Sequence, residues 1–170
     1  DYMCAMSNNL AYVMAVEKAM GLEIPERAQY IRVIAAELSR IAGHLLAMGA
    51  WALDLGAMSI LLYAMREREI VLDIFEQICG ARMTLSCLRV GGVRYDFNKE
   101  IVESINELLE VMPGRLDEYE TVLIGNRVWI QRNEGVGVIS AEDAINMSLS
   151  GPALRASGVK WDIRKDEPYL

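Results

Sequence analysis

Asp54 is flanked by Leu53, Leu55 and Ala57, and a carboxylate in such company, once buried, must find a partner or take up a proton. Two roles fit it: a proton-handling or orienting group in a cleft, or an N-cap for the helix that follows. Counted back by fours, Leu46, Ala50 and Asp54 share one helical stripe that runs from apolar to anionic. A stripe of that kind can line a narrow, mostly greasy pocket. Glu37, Arg40 and His44 also fall at three- and four-residue spacing, which permits a polar ladder, read first as a satisfied buried network and second as a proton relay. Arg66-Glu67-Arg68-Glu69 reads as a solvated face or a subunit contact. His44 is the only histidine, so a His-based metal site or a Ser/His/Asp triad within this chain would depend on it alone.

These residues need long helices to hold them. Leu10, Val13, Met14, Val16 and Met20 predict a first helix closed by Gly21. Pro25 opens a second, long one, whose stripe of Ile31, Ile34, Ala35, Leu38, Ile41, Leu45 and Met48 carries it to about Leu53. Ser59 is a candidate cap for a third, over Leu61 to Ile78, which Gly80 ends. Ser86 to Val90 suits a short strand or an extended connection. A fourth helix from Ile101 to Met112 is expected to stop at Pro113-Gly114, with a fifth from Leu116 to Leu123 ending at Gly125. Ser140-Ala141-Glu142-Asp143 resembles a capping box for a sixth, to about Met147, before an irregular stretch. The expectation is one partial domain, with a helical core over about 3–125 and a loop-rich arm over about 126–170.

Composition narrows the function. The chain has 170 residues, 53% of them hydrophobic and 24% charged, with 4 Pro and 13 Gly, which is globular and neither disordered nor collagen-like. Seventeen basic residues against 24 acidic give a net charge of −7, the wrong sign for neutralising phosphates, so no nucleic acid is expected as a partner. Cys4, Cys79 and Cys87 show no CxxC spacing and read as reduced thiols. No GxGxxG after a strand, Walker loop, HExxH or GxSxG is present. Ile41 to Met65 invites a membrane reading, but Asp54, Gly49, Gly56 and Ser59 interrupt it, and a buried helical hairpin fits better. Ten Met residues suit either core filling or an adaptable apolar surface. The sequence opens at Asp1 without a signal-peptide pattern and reads as a segment of something longer.

Several ordered runs carry a family resemblance: Glu26-Arg27-Ala28-Gln29-Tyr30-Ile31-Arg32-Val33, Ala52-Leu53-Asp54-Leu55-Gly56-Ala57-Met58, Gly80-Ala81-Arg82-Met83, Arg89-Val90-Gly91-Gly92-Val93 and Trp161-Asp162-Ile163-Arg164-Lys165. With Ser140-Ala141-Glu142-Asp143-Ala144 and Leu154-Arg155-Ala156-Ser157-Gly158-Val159, they resemble the D subunit of proton-pumping NADH:quinone oxidoreductase, respiratory complex I. The resemblance implies a mainly α fold, a helical bundle like the large subunit of nickel-iron hydrogenases. It implies a peripheral position on the cytoplasmic side of the inner membrane of a bacterium or archaeon. It further implies quinone as substrate, no cofactor bound by this chain alone, and an iron-sulfur cluster in a neighbouring subunit; other peripheral-arm and membrane-arm subunits would be its partners. By the same resemblance Tyr2 hydrogen-bonds a quinone carbonyl and Asp54 pairs with a quinone-binding histidine in an N-terminal hairpin outside this sequence; Leu46 and Ala50, on the Asp54 stripe, are expected to line the quinone chamber with them.

Two departures stand out. Thr84 occupies a position where many members have histidine, and Ala50-Trp51 replaces a Thr-His pair common before Ala-Leu-Asp. Competing readings are the equivalent subunit of a deazaflavin- or ferredoxin-fed dehydrogenase, a membrane-bound nickel-iron hydrogenase, and a helical scaffold without chemistry. The isolated segment is expected to be inactive, because the hairpin and the iron-sulfur neighbour complete the site.

Overall fold

The computed structural model describes residues 3–168, which form two compact units, the first running to Asn126 and the second starting at Arg127. The fold is mainly α.

In the first unit, α1 (Ala5–Met20) buries Met6, Leu10 and Val13 on one face, and Gly21 closes it in the left-handed region at φ 65°. It starts five residues before Leu10, at a point where Ser7 and Asn8 donate back to the Cys4 carbonyl. α2 (Glu26–Asp54) follows Pro25, and its buried positions step by threes and fours from Ala28 to Ala52. α3 (Met58–Cys79) returns alongside it, and the pair forms the most extensive helix contact of the unit. The helices approach closely because Gly49 faces Leu61 and Ala64; a Cβ on Gly49 would lie 3.0 Å from Leu61 Cδ1 and 3.1 Å from its Cα. α2 is long and apolar enough to cross a membrane by length and composition, and part of its apolar surface is buried inside this unit. The apolar stretch Ile41 to Met65 is broken at Gly56, so it is a helical hairpin.

Beyond α3, β1 (Leu88–Arg89) and β2 (Gly92–Val93) make a two-residue antiparallel ladder, Leu88 opposite Val93 and Arg89 opposite Gly92. It realises the extended segment at Ser86 to Val90 in reduced form. α4 (Lys99–Tyr119) is capped by Asn98, whose side chain accepts from Ile101 N at 2.8 Å. It runs straight through Pro113 into a π-helical turn, Glu120–Ile124, so the expected stop at Pro113-Gly114 is wrong. Proline removes one backbone donor and crowds the carbonyl four residues back. Burial of Leu108 before it and Tyr119 and Leu123 after it outweighs that local cost by holding both halves on the unit's core. The core at this point is Leu45, Ala64 and Tyr119, with Ile41, Met48 and Tyr63 packed around them.

The second unit consists of α5 (Arg127–Asn133), α6 (Ala141–Asn146), α7 (Gly151–Ala156) and α8 (Ile163–Asp166). The capping box at Ser140 is present: its hydroxyl accepts from Asp143 N at 3.1 Å and donates to Asp143 Oδ2 at 2.7 Å. α6 packs on α7, with Ala144 and Leu154 buried. The stretch after Met147, expected to be irregular, contains α7 and α8. Helices of six and four residues are too short for hydrophobic periodicity to reveal.

Candidate functional site

Backbone bonds close the hairpin tip. Leu55 N donates to Trp51 O at 3.1 Å, Gly56 N to Leu53 O at 2.9 Å and Ala57 N to Ala52 O at 2.7 Å. Gly56 has φ 85°, a conformation any side chain would resist. Asp54 is the last residue of α2 and is exposed. Its carboxylate makes no hydrogen bond or ion pair with other described residues. Its position is also electrostatically poor, since a helix C-terminus presents unsatisfied carbonyls and disfavours a carboxylate by about 0.3–1 kcal/mol. No basic residue sits in that last turn to compensate.

The capping alternative for Asp54 does not hold. α3 is preceded by Ala57 and has no side-chain cap, and neither Asp54 nor Ser59 serves it. Leu46 is half-buried, while Ala50 and Asp54 are exposed, so the stripe climbs out of the core towards the tip. Around it Trp51 and Leu53, 56% and 42% exposed, and Met58 and Leu62, both about 60% exposed, leave apolar surface uncovered. Tyr2 lies outside the described residues. Cys4, two positions later in sequence, is seated on α2: its thiol faces the Ser39 carbonyl at 3.8 Å and occupies the space beside Gly43.

The ladder on α2 is only partly as expected. Arg40 donates to Glu37 at 2.9 Å, both side chains being half-buried, but His44 is exposed, so the three do not form a buried network. The charged run on α3 is corrected more sharply. Glu67 is fully buried rather than solvated. Tyr119 of α4 donates its phenol to one Glu67 oxygen through a short contact, while Arg66 at 2.6 Å and Arg115 at 3.2 Å hold the other. Arg66 also reaches Glu118 at 2.8 Å, depressing that carboxyl below its ordinary value. Burial, with Glu67 beside it, pushes the Tyr119 phenol well up, so it is a donor and not a base.

A second buried polar site was not anticipated. Glu17 and Arg32, 5% and 3% exposed, form a bidentate pair at 2.6 and 2.8 Å. Arg32 donates further to the carbonyls of Arg89 at 2.8 Å and Gly92 at 2.9 Å, and Glu17 accepts from Gly91 N at 2.8 Å. The pair therefore latches the β1–β2 turn onto α1 and α2. The Arg32 guanidinium draws the Glu17 carboxyl below its ordinary value, against the opposing effect of burial. The signal was present in the pattern: Leu10, Val13 and Glu17 share one helical face, as do Ala28, Arg32 and Ala35, so both charges lie on stripes that must be buried.

Thr84, exposed in the loop after α3, has φ 55°, an uncommon conformation for a β-branched residue. Its loop is tied down by Arg82, which pairs with Glu69, Asp73 and Glu76 of α3. Nearby Cys87 is buried, donates to Met6 Sδ at 3.7 Å, and is pushed up to about 11 by burial, so it stays an inert thiol. Among the described residues no three His, Cys, Asp or Glu side chains converge as a metal site.

Residues 54–170 match the family described as respiratory-chain NADH dehydrogenase, 49 kDa subunit. An NADH-quinone oxidoreductase D subunit of Rhizobium meliloti (strain 1021), the one numbered 2, is 60% identical over 169 residues, covering 99% of this chain and 42% of that relative. The NADH-quinone oxidoreductase D subunits of Geotalea uraniireducens (strain Rf4) and Geobacter sulfurreducens are 54% and 52% identical, again over 99% of this chain and 43% of each relative. The chain thus spans less than half the length of the curated relatives it matches.

Proposed function

Because the chain belongs to the family of the 49 kDa subunit of respiratory-chain NADH dehydrogenase, we propose that its α2–α3 hairpin tip forms one wall of a quinone-headgroup chamber in an NADH:quinone oxidoreductase. The observation that carries this reading is Asp54: an exposed carboxylate at the unfavourable end of a helix, without a partner among the described residues, in a setting of uncovered Trp51, Leu53, Met58 and Leu62. A chain that leaves a charge so placed leaves it for a group outside itself.

In this role Asp54 accepts a hydrogen bond from a histidine supplied by another part of the subunit, fixing the imidazole so that its other nitrogen faces a quinone carbonyl. Tyr2 donates its phenol O–H to a carbonyl oxygen, remaining neutral because an ordinary phenol titrates near 10. Leu46 and Ala50 give the ring an apolar wall with small relief. An iron-sulfur cluster in a neighbouring subunit would supply the two electrons. The chain's own groups orient the ring and hold hydrogen bonds to the oxygens that take up two protons. The oxidoreductase works on the cytoplasmic face of the inner membrane, with quinone reduction coupled to proton translocation in the membrane arm, and the segment alone is inactive.

Asp54→Asn and Tyr2→Phe in the assembled enzyme test this reading. Each is expected to lower quinone reduction by about 10²-fold while NADH oxidation with an artificial acceptor and subunit assembly stay intact. Quinone turnover at the wild-type rate in both variants would overturn it. Ala50→Thr is expected to shift the preference among quinones of different polarity, because it restores a hydroxyl to the wall.

A further inference from the structure

α3 carries six charged side chains, and five of them are paired. Arg66 and Glu67 belong to the buried site with Tyr119 and Arg115, and Glu69, Asp73 and Glu76 hold Arg82. Arg68 is the exception: its side chain makes no hydrogen bond or ion pair with any described residue. Nor does it trail freely in solvent. Arg68 is half-buried, and its Nε is sealed from solvent without an acceptor. The two terminal nitrogens are neither sealed nor bonded, so they reach the surface as a fork held by its stem.

Leu61, Met65, Arg68 and Leu72 share one edge of α3 at four-, three- and four-residue spacing, and all are half-buried. Leu61 is the residue that Gly49 of α2 admits, so this edge runs beside the contact between the two helices. A guanidinium on an apolar, half-buried edge is disfavoured unless an anion meets it. The acids of α3 are all engaged elsewhere. Asp54, whose carboxylate also lacks a partner among the described residues, is out of reach. Arg68 lies ten residues beyond the start of α3, roughly 15 Å along the axis from the hairpin tip.

We infer that Arg68 is a binding site for a single carboxylate, that of an Asp or Glu side chain outside residues 3–168, gripped end-on by the two terminal nitrogens. Two parallel N–H···O bonds match the planar fork to a carboxylate. A phosphate group would call for further cations, and Arg66 and Arg82 are already held by acids. This site and the quinone chamber are independent of each other, and either can fail alone.

The test introduces Arg68→Lys into the full subunit within its assembled complex and adds a water-soluble carbodiimide. The reagent joins an amine to a carboxylate already in contact with it; the amide forms as one carboxyl oxygen leaves in the urea by-product. Arginine does not couple, so the wild-type enzyme is the control. The expected result is an isopeptide bond from position 68 to one Asp or Glu outside residues 3–168. The mass of the joined peptide assigns that acid to the remainder of this subunit or to a neighbouring polypeptide, and either source supports the site. No bond at position 68, or a bond only to an acid within residues 3–168, overturns the inference. Arg68→Met keeps the stem and removes the charge. It is expected to lower the unfolding midpoint of the assembled complex by about 5 °C, with Arg68→Lys recovering most of the loss. A wild-type midpoint for Arg68→Met would equally overturn the inference, because packing of the stem would then be all that the residue supplies.

Discussion

The Glu17–Arg32 latch and the Asp54 tip both place charge on α-helices rich in apolar residues, and they treat it in opposite ways. In the latch every strong donor and acceptor is used: two carboxylate oxygens meet a guanidinium, a backbone amide and, through the arginine, two carbonyls. At the tip a carboxylate stands at the wrong end of a helix with apolar side chains exposed around it. Buried charge survives only when paired, so the latch belongs to the architecture. The Asp54 carboxylate has no such partner among the described residues, and the proposed chamber would supply one from outside the chain.

The contrast can be broken at the latch first. Arg32→Ala is expected to cost about 3–5 kcal/mol, since it leaves Glu17 charged and buried without its partner, and urea denaturation of the expressed chain reads the loss. The same pair gives a pH signature. Glu17 titrates below the ordinary glutamate value of 4.5 in the folded state, so its contribution is fully present above that value and fades as pH falls through the depressed folded value. Thermal melts from pH 7 downwards should show this extra acid sensitivity, and Glu17→Gln should remove it.

Tyr119→Phe comes next. It deletes one O–H from a fully buried carboxylate and is expected to destabilise by about 1–3 kcal/mol. If the change were silent, the Glu67 site would not be holding α4 to α3. Thr84→Gly is expected to stabilise the chain by about 1 kcal/mol, because glycine adopts a positive φ without the side-chain clash; a loss of stability would mean that the threonine contacts outweigh the backbone strain. The smallest effect sharpens the contrast from the other side. Asp54→Asn removes a charge from a helix C-terminus and is expected to raise stability by about 0.3–1 kcal/mol, even as it impairs the proposed chemistry. Destabilisation there would make the tip structural after all.

Much of the helical body was legible in the residues. The stripes on α1, α2 and α3, with Gly21 and Gly80 as terminators, recur in the structure within a few residues, because burying one face is a local requirement that sequence spacing records directly. The Ser140 box was legible for the same reason, its partners being three residues apart. Pro113 misled because its penalty is local while its compensation is not: Leu108, Tyr119 and Leu123 hold the two halves on the core from either side. Arg66 to Glu69 misled because a run of charges says nothing about which member faces inward. Arg66, alongside the buried Glu67, keeps about 39% of its side chain exposed.

The sequence alone determined that the first unit would be a set of amphipathic helices with a break at Gly56, and that Asp54 would sit at that break, since helical period and backbone preference act over a few residues. Only the tertiary structure decided which charges became architecture. Glu17 meets Arg32 and the β1–β2 turn across 15 and 74 residues of chain, and Glu67 meets Tyr119 across 52. Pairings at that separation depend on how whole helices pack, where burial makes an unpaired charge intolerable.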